Sequence, residues 1–184
     1  AQFKAHGIAV FDADAEVHRL YEGVAAPAIE AAFPGTTSDG RVDRQKLAAA
    51  LARDSEDFKR LEKIVHPMVQ AAEREFLHAR HQAEDCLVVL EIPLLFETGR
   101  EKKMDAVVVV SASPENQRAR VLERPGMTAE KLENLLARQK PDAEKRRKAD
   151  FVVDTNGSVT ETEAQIDAII ESLRGRKGRA FEMH

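Results

Sequence analysis

The chain has 184 residues, 43% of them hydrophobic, and its 28 basic and 32 acidic side chains leave a net charge of −4. This length supports one sizeable core and a smaller second one. The lack of a long uncharged apolar run excludes a membrane-spanning helix, and the weakly acidic balance argues against a general duplex-DNA binder. A single cysteine, Cys86, excludes an internal disulfide and a cysteine-cluster zinc site. We therefore expect a cytoplasmic protein with a half-buried thiol beside an apolar run.

The first residues, AQFKAH followed by Gly7, have the pattern of a helix end. Lys4 and His6 fall in the last turn, and glycine is the usual C-terminal cap. The beginning of that helix, with an N-cap and a preceding strand, is missing from the sequence. We therefore expect the sequence to start inside a structural unit.

Four apolar segments predict β-strands: residues 8–12, 87–92, 106–111 and 151–154. The β-branched run 107–110 shows no alternation, which is typical of a strand covered on both faces. Helical segments separate the strands, so the pattern predicts an α/β fold with a mostly parallel sheet.

The long stretch between the first two strands is almost wholly helical. Its pattern predicts helices at 41–53 and 55–65, and a third from Pro67 to about residue 82. We interpret it as a helical subdomain at the carboxyl ends of the strands, where open α/β sheets bind ligands.

The later helices are indicated by caps and apolar spacing. Ser113 followed by Pro114 predicts an N-cap and first helical position, with the helix running to Arg124. Thr128 predicts the start of another helix, whose apolar face holds Leu132, Leu135 and Leu136. The last helix carries a stripe of Ile166, Ile169, Ile170 and Leu173.

Asp12 and Asp14 end the first predicted strand. If the extended backbone persists through Ala13, both carboxylates project to the same side. Such a pair suits metal binding or a base that activates a hydroxyl group. Alternatively, Asp14 caps the following helix.

Glu91 lies near the end of the second predicted strand, and Pro93 prevents regular continuation of the strand. An acid at this place can hold magnesium, usually through water, or be a glutamate at the rim of the sheet. Residues 94–96 are expected to pack against the helical subdomain. His66, before Pro67, is a helix cap, a core group or a ligand contact.

A basic cluster follows the third strand. Arg118, Arg120 and Arg124 share one helix, and Arg138 and Gln139 follow in the next, before the basic run 145–148. Guanidinium groups on a hinged helix pair can clamp polyphosphate and stabilise a transferring phosphoryl group. The alternative is a solvated helix face with interspersed glutamates. Aromatic residues are too sparse for a nucleic-acid stacking surface.

The ordered set of motifs FDAD with His18, IVHPMV, EIPLLFE, VVVVSASPENQRARVLER, PGMTAEKLENLLARQ and KRRKADFVVDTNG resembles the dephospho-coenzyme A kinase family. The resemblance covers nearly all of the chain up to residue 174. It implies a P-loop NTPase-like three-layer α/β fold, with a mostly parallel sheet, a helical substrate-binding insert and a helical lid.

The resemblance also implies an activity. Such enzymes transfer the γ-phosphoryl group of ATP, with Mg²⁺, to the ribose 3′-hydroxyl of dephospho-CoA, the last step of CoA synthesis. By position, Asp14 is the base and Arg138 a second catalytic residue. The implied substrate-binding residues are Asp12, His18, His66, Glu91 and Pro93, with Glu91 able to reach the metal through water. The implied ATP-binding residues are Arg120, Arg124, Gln139, Asn156 and Gly157.

The implied domains are a nucleotide-binding core (1–18, 84–115 and 146–174), a helical CoA-substrate subdomain (19–83), a lid (116–145) and a disordered basic tail (175–184). ATP and dephospho-CoA are the expected partners. Neither nucleic acid nor membrane is expected, and the protein is expected to be a monomer or weak oligomer.

Two departures from the family pattern stand out. Glu91 replaces the family's usual aspartate, and G-x-x-x-x-G-K-[S/T], the phosphate-binding loop, is absent from the sequence. We expect an upstream strand–loop–helix segment outside this sequence, and little kinase activity from this polypeptide by itself. The alternatives are another nucleotide or metabolite kinase of this fold, a catalytically dead nucleotide-binding relative, and a metal-dependent phosphohydrolase using Asp12 and Asp14.

Overall fold

The computed structural model describes residues 2–52, 55–137 and 139–179. The helices of these ranges are α1 (Gln2–Ala5), α2 (Ala13–Tyr21), α3 (Ala26–Ala32), α4 (Arg44–Leu51), α5 (Ser55–Gln82), α6 (Pro114–Leu122), α7 (Ala129–Leu136), α8 (Asp142–Lys148) and α9 (Val159–Leu173), with a short 3₁₀ helix at Arg100–Lys103. The strands are β1 (Ala9–Asp12), β2 (Thr37–Ser38), β3 (Arg41–Val42), β4 (Val88–Glu91), β5 (Val108–Ser111) and β6 (Phe151–Asp154). None of these helices is long and apolar enough to cross a bilayer.

The four predicted strands are confirmed, each within two residues of its expected ends. β1 and β4 pair in parallel, with Asp12 opposite Glu91. β5 and β6 also pair in parallel, with Ser111 opposite Asp154. β2 and β3 form a short antiparallel hairpin. The expected α/β class with parallel pairing is therefore present.

The chain divides into two compact units. The first unit is Ala9–Pro93, and the second unit combines Ala1–Ile8 with Leu94–His184. The first unit therefore contains β1 and β4 together with the helical stretch between them. The predicted division into core, subdomain and lid is finer than this and stays a prediction.

The core of the first unit lies against the apolar face of α5. Ile29 and Ala25 are fully buried in it. Phe11 of β1 contacts Phe76 of α5, with 5.6 Å between the ring centroids. This packing anchors the end of β1, and with it the start of α2, on the long helix.

The second unit has two apolar clusters. One joins Val153 of β6 to the buried isoleucines of α9, as the predicted stripe requires, and includes Phe3 and Ile8 from the start of the chain. The other contains Phe96, Val107 and Val109. Phe96 thus packs within the second unit, and the expected packing of residues 94–96 against the helical subdomain stays a prediction.

The predicted helix end at Gly7 is confirmed. Gly7 has a φ of 74°, which glycine adopts without steric cost. Its N–H donates to the carbonyl of Lys4, and the N–H of Ile8 donates to the carbonyl of Phe3. These two bonds form a Schellman motif, which ends α1 and turns the chain towards β1.

Three burial expectations need correction. Val110 is 67% exposed although Val109 is 7% exposed, so β5 is covered on one face only among the described residues. Leu132 is buried in α7, whereas Leu135 and Leu136 on the same predicted face are exposed. Cys86 is exposed instead of half-buried, because it lies in the turn before β4.

The described part of the basic tail, as far as Arg179, contacts other residues of the second unit, and the disorder expected from residue 175 stays a prediction. The N–H of Arg179 donates to Oδ1 of Asp105 over 2.6 Å, and the Arg176 guanidinium lies 5.7 Å from the centre of the Phe151 ring. Residues 180–184 lie outside the described residues.

Two helix predictions in the first unit are wrong. Residues 41–42 form β3, and α4 begins only after Asp43, whose side chain accepts hydrogen bonds from the N–H groups of Gln45 and Lys46. The expected break at Pro67 is absent, because α5 runs from Ser55 to Gln82 with Pro67 inside it. The apolar face continues through Val65 and Val69, and its burial maintains the helix despite the missing N–H donor.

Replacing Pro67 with alanine is expected to raise the free energy of unfolding by about 1–3 kcal/mol, because it restores an interior helical hydrogen bond and removes the clash of the ring. Pro67 is exposed, so the change leaves no cavity. Pro114→Ala is the matched control, since proline at the first position of α6 costs little. Urea unfolding of both variants provides the measurement. Equal changes in the free energy of unfolding would show that proline inside α5 destabilises the protein no more than proline at the first position of α6.

Candidate active site

Asp12 is both the last residue of β1 and the N-cap of α2. Its Oδ1 accepts a hydrogen bond from the N–H of Ala15 over 2.9 Å. The helix starts at Ala13, so the extended backbone does not persist and the two aspartates do not project as an alternating strand pair. The alternative with Asp14 as the cap is also wrong. Asp12 takes that role because its extended backbone suits an N-cap and Asp14 is already helical.

Asp14 occupies the second position of α2 and is exposed, as is His18 four residues later. Residues with this spacing share one helix face. The opposite side of α2 is anchored by buried Ala13 and Leu20. The structure therefore presents a carboxylate and an imidazole to solvent on a helix that starts at the carboxyl end of a parallel strand.

Glu91 of β4 is the acidic residue beside Asp12 in the sheet. It pairs in register with Asp12, and neighbouring strands lie about 4.8 Å apart. Glu91 and Pro93 are both exposed. Within the described ranges no group of three or more histidine, cysteine or acidic side chains could hold a metal ion by itself. The strand ends therefore offer two carboxylates, one of them occupied by capping.

His66 is exposed in the middle of α5. Its expected roles as a cap or core group are wrong, because the helix does not break there and the side chain is not buried. No hydrogen bond or ion pair among the described residues joins it to Asp14 or His18. A substrate contact stays a prediction for His66.

In the second unit, Arg120 of α6 is tethered to the loop after β6. Its two terminal nitrogens donate to the hydroxyl and the carbonyl of Thr155, over 3.0 and 2.6 Å. The Thr155 hydroxyl and N–H both donate to the carbonyl of Ser111, over 3.0 and 2.9 Å. This chain of bonds holds an exposed guanidinium against the carboxyl ends of β5 and β6.

Asn156 connects the same loop to the start of α6. Its Oδ1 accepts from the N–H of Ser113 over 2.7 Å and from Nδ2 of Asn116 over 2.9 Å. Its own N–H donates to Oδ1 of Asp154. Asn116 and Thr155 were not among the predicted site residues. The signal for Thr155 was the polar run TNGS after the last strand, and that for Asn116 was its position three residues after the predicted N-cap Ser113.

Gly157 has a structural reason to be glycine. A Cβ at this position would collide with the Glu161 carboxylate, which accepts from the N–H of Ser158 over 2.6 Å in the capping box of α9. These hydrogen bonds hold the pKa of the Glu161 carboxyl below its usual value. The glycine therefore makes room for the cap, and its contact with ATP stays a prediction.

The remaining predicted lid residues lie on α6 or just beyond a helix end, and Gln139, which was expected in the second helix, lies after the end of α7. Arg124 is exposed just beyond the end of α6. Arg118 is engaged by Glu133 of α7 over 2.6 Å, as the alternative of a charged helix face requires. Gln139 accepts from Nζ of Lys145 over 3.3 Å and lines an open cleft of about 230 Å³ with Gln117, Leu136, Lys140, Pro141, Asp142 and Lys145. Arg138 lies outside the described residues.

Comparison with known proteins decides the family. The family model described as "Dephospho-CoA kinase" matches residues 1–161. The chain belongs to the dephospho-CoA kinase family. It is 54% identical to the dephospho-CoA kinase of Mesorhizobium japonicum, over 96% of this chain and 89% of the relative. It is 57% identical to that of Bradyrhizobium diazoefficiens, over 93% of this chain and 86% of the relative.

Solved structures show a similar fold. The crystal structure of TT1252 from Thermus thermophilus superposes with a TM-score of 0.78 at 34% identity, over 95% of this chain and 89% of that one. A dephospho-CoA kinase from Campylobacter jejuni superposes with a TM-score of 0.70 at 23% identity, over 93% of this chain and 87% of that one. This likeness shows a similar fold. The P-loop NTPase-like α/β class expected for a dephospho-CoA kinase is confirmed.

Proposed function

We propose that this protein phosphorylates the ribose 3′-hydroxyl of dephospho-CoA with ATP, giving CoA in the last step of its synthesis. The observation that carries the proposal is the exposed carboxylate of Asp14, held at the start of α2 in a chain that matches dephospho-CoA kinases over nearly its whole length. We further propose a cytoplasmic monomer or weak oligomer, with neither nucleic acid nor membrane as partner.

Asp14 is the proposed general base. Phosphoryl transfer needs a group that orients or deprotonates the attacking hydroxyl, and a carboxylate within hydrogen-bond reach provides it. The Asp14 side chain is available because Asp12, and not Asp14, caps α2. His18, on the same helix face, is proposed to contact the CoA substrate, with His66, Glu91 and Pro93 as further contacts.

The proposed ATP contacts belong to the second unit. Arg120 has five N–H donors, and the two bonds to Thr155 leave others for phosphate oxygens. Arg124, Gln139 and the catalytic Arg138 are proposed to contact the phosphates as well. Asn156, which is exposed and neutral, is proposed to contact the base together with Gly157.

Magnesium is proposed to enter with ATP. It prefers carboxylate oxygens and usually binds through one or two of them together with phosphates and waters. The exposed carboxylate of Glu91 fits such a role, with water between it and the ion, and Asp12 lies beside it in register. When bound, the ion would neutralise charge on the phosphate oxygens.

A coupled assay of ADP release tests the proposal against its alternatives. The protein expressed from its complete reading frame is incubated with ATP and Mg²⁺, and with dephospho-CoA, a nucleoside monophosphate or no acceptor. Turnover that requires dephospho-CoA is expected. Turnover with the monophosphate would indicate another kinase, release of phosphate without acceptor would indicate a phosphohydrolase, and ATP binding without turnover would indicate a catalytically dead relative.

A further inference from the structure

Helix α6 begins with an incomplete capping box. Oγ of its N-cap, Ser113, accepts from the N–H of Asn116 over 3.2 Å. In a complete box, the side chain at the position of Asn116 accepts the N–H of the N-cap in return. Helix α9 shows the complete form with Ser158 and Glu161. At α6, Oδ1 of Asn156 accepts the Ser113 N–H instead, from a loop 43 residues further along the chain.

The hydrogen bond from the Ser113 N–H fixes the orientation of the Asn156 amide. A backbone N–H can only donate, so the atom of Asn156 that faces Ser113 must be its oxygen. Nδ2 of Asn116 donates to the same oxygen, which occupies both of its lone pairs. Asn156 is exposed, and none of the described residues accepts a hydrogen bond from its Nδ2.

We infer that Asn116 is a positioning residue, which orients the Asn156 amide so that Nδ2 donates to an acceptor nitrogen of the ATP base. The inference rests on the proposed function, in which Asn156 contacts that base. A neutral amide with its oxygen occupied can only donate, which matches the ring nitrogens of adenine. The proposed phosphate contact on the same helix, Arg120, is held by Thr155 and not by Asn116.

Asn116→Glu separates this role from a structural one. Glutamate at this position is expected to accept the Ser113 N–H, as Glu161 does for Ser158, and so to release Asn156 while keeping α6 capped. The melting temperature is expected to stay at or above that of the unsubstituted protein. The Kd for ATP, measured by calorimetry, is expected to rise about three- to tenfold through loss of one oriented hydrogen bond.

Two further measurements complete the test. The Kd for inorganic tripolyphosphate, which has no base, is expected to stay unchanged in Asn116→Ala, because alanine adds no charge beside Arg120. The carboxylate of Asn116→Glu lies one helical turn from Arg120 and can pair with it. Asn116→Ala removes one of the two donors to Oδ1 of Asn156 and leaves the Ser113 N–H in place, so the Kd for ATP is expected to rise by about two- to threefold, less than in Asn116→Glu. Asn134, exposed on α7, provides the matched controls Asn134→Glu and Asn134→Ala, which are expected to bind ATP normally.

Unchanged ATP affinity in either Asn116 variant would overturn the inference, as would equal weakening of ATP and tripolyphosphate binding in Asn116→Ala. ATP binding is measured without an acceptor, whereas the proposed function is tested by dephospho-CoA-dependent turnover of the unsubstituted protein. The inference about Asn116 and the proposed function can therefore fail separately.

Discussion

Replacing Asp14 with asparagine is expected to lower kcat for dephospho-CoA phosphorylation by about 10²–10⁴-fold, the range that general-base catalysis contributes. Asparagine keeps the shape of the side chain but cannot take a proton. Because Asp14 is exposed and does not cap α2, the variant is expected to keep its melting temperature and its Kd for ATP. Steady-state kinetics with both substrates provide the measurement.

Asp12→Ala is the informative comparison, two residues away. It removes the acceptor for the Ala15 N–H and is expected to lower the free energy of unfolding by about 0.5–2 kcal/mol. Its loss of activity is expected to be smaller than that of Asp14→Asn. Preserved turnover in Asp14→Asn, or an equal loss of stability in both variants, would contradict the assignment of Asp14 as the base.

Arg120→Ala is expected to raise the Kd for ATP by about 10–100-fold, because hydrogen bonds to charged groups contribute about 1.5–3 kcal/mol. Tripolyphosphate is expected to bind more weakly by a similar factor, since the contact is to phosphate. The affinity for dephospho-CoA is expected to stay unchanged. Calorimetric titration of each ligand measures the three effects.

Arg118→Ala is the matched control on the same helix. Arg118 is engaged by Glu133, in an exposed ion pair of the kind that contributes about 0–1 kcal/mol. Its removal is expected to change ATP affinity by less than about threefold, as expected for a residue outside the phosphate contacts. Equal losses of affinity in the two variants would show that general positive charge, and not the tethered guanidinium of Arg120, binds the phosphates.

Local sequence rules predicted much of the fold because they depend on few neighbours. The strand Phe151–Asp154 and the cap residues Ser113 and Thr128 lie where composition and spacing placed them. The glycine that ends α1 is also recognisable locally, because few other residues adopt its positive φ. These features follow from backbone geometry that each short segment determines by itself.

Predictions failed where packing outweighed a local signal. Pro67 is a strong helix breaker by itself, but the buried face of α5 continues on both sides of it. Val110 belongs to a run typical of a doubly covered strand, and only the structure shows that its side chain is exposed. For α5, the deciding contacts come from residues far away in the sequence.

The sequence proposed single site residues but not the hydrogen bonds that hold them. Asp14 and Arg120 stay predictions as site residues, whereas the bonds from Arg120 to Thr155 and from Asn116 to Asn156 span 35 and 40 residues. No periodicity in the sequence predicts hydrogen bonds between residues so far apart. The choice between Asp12 and Asp14 as the helix cap also required coordinates, since either residue type serves.

The most direct test of the central claim is the position of the transferred phosphate. The protein, expressed from its complete reading frame, is incubated with ATP, Mg²⁺ and dephospho-CoA. The products are then analysed by phosphorus NMR. One ribose 3′-phosphate is expected to form for each ADP released. ADP that accumulates without any 3′-phosphorylated product would contradict the assignment of this protein as a dephospho-CoA kinase.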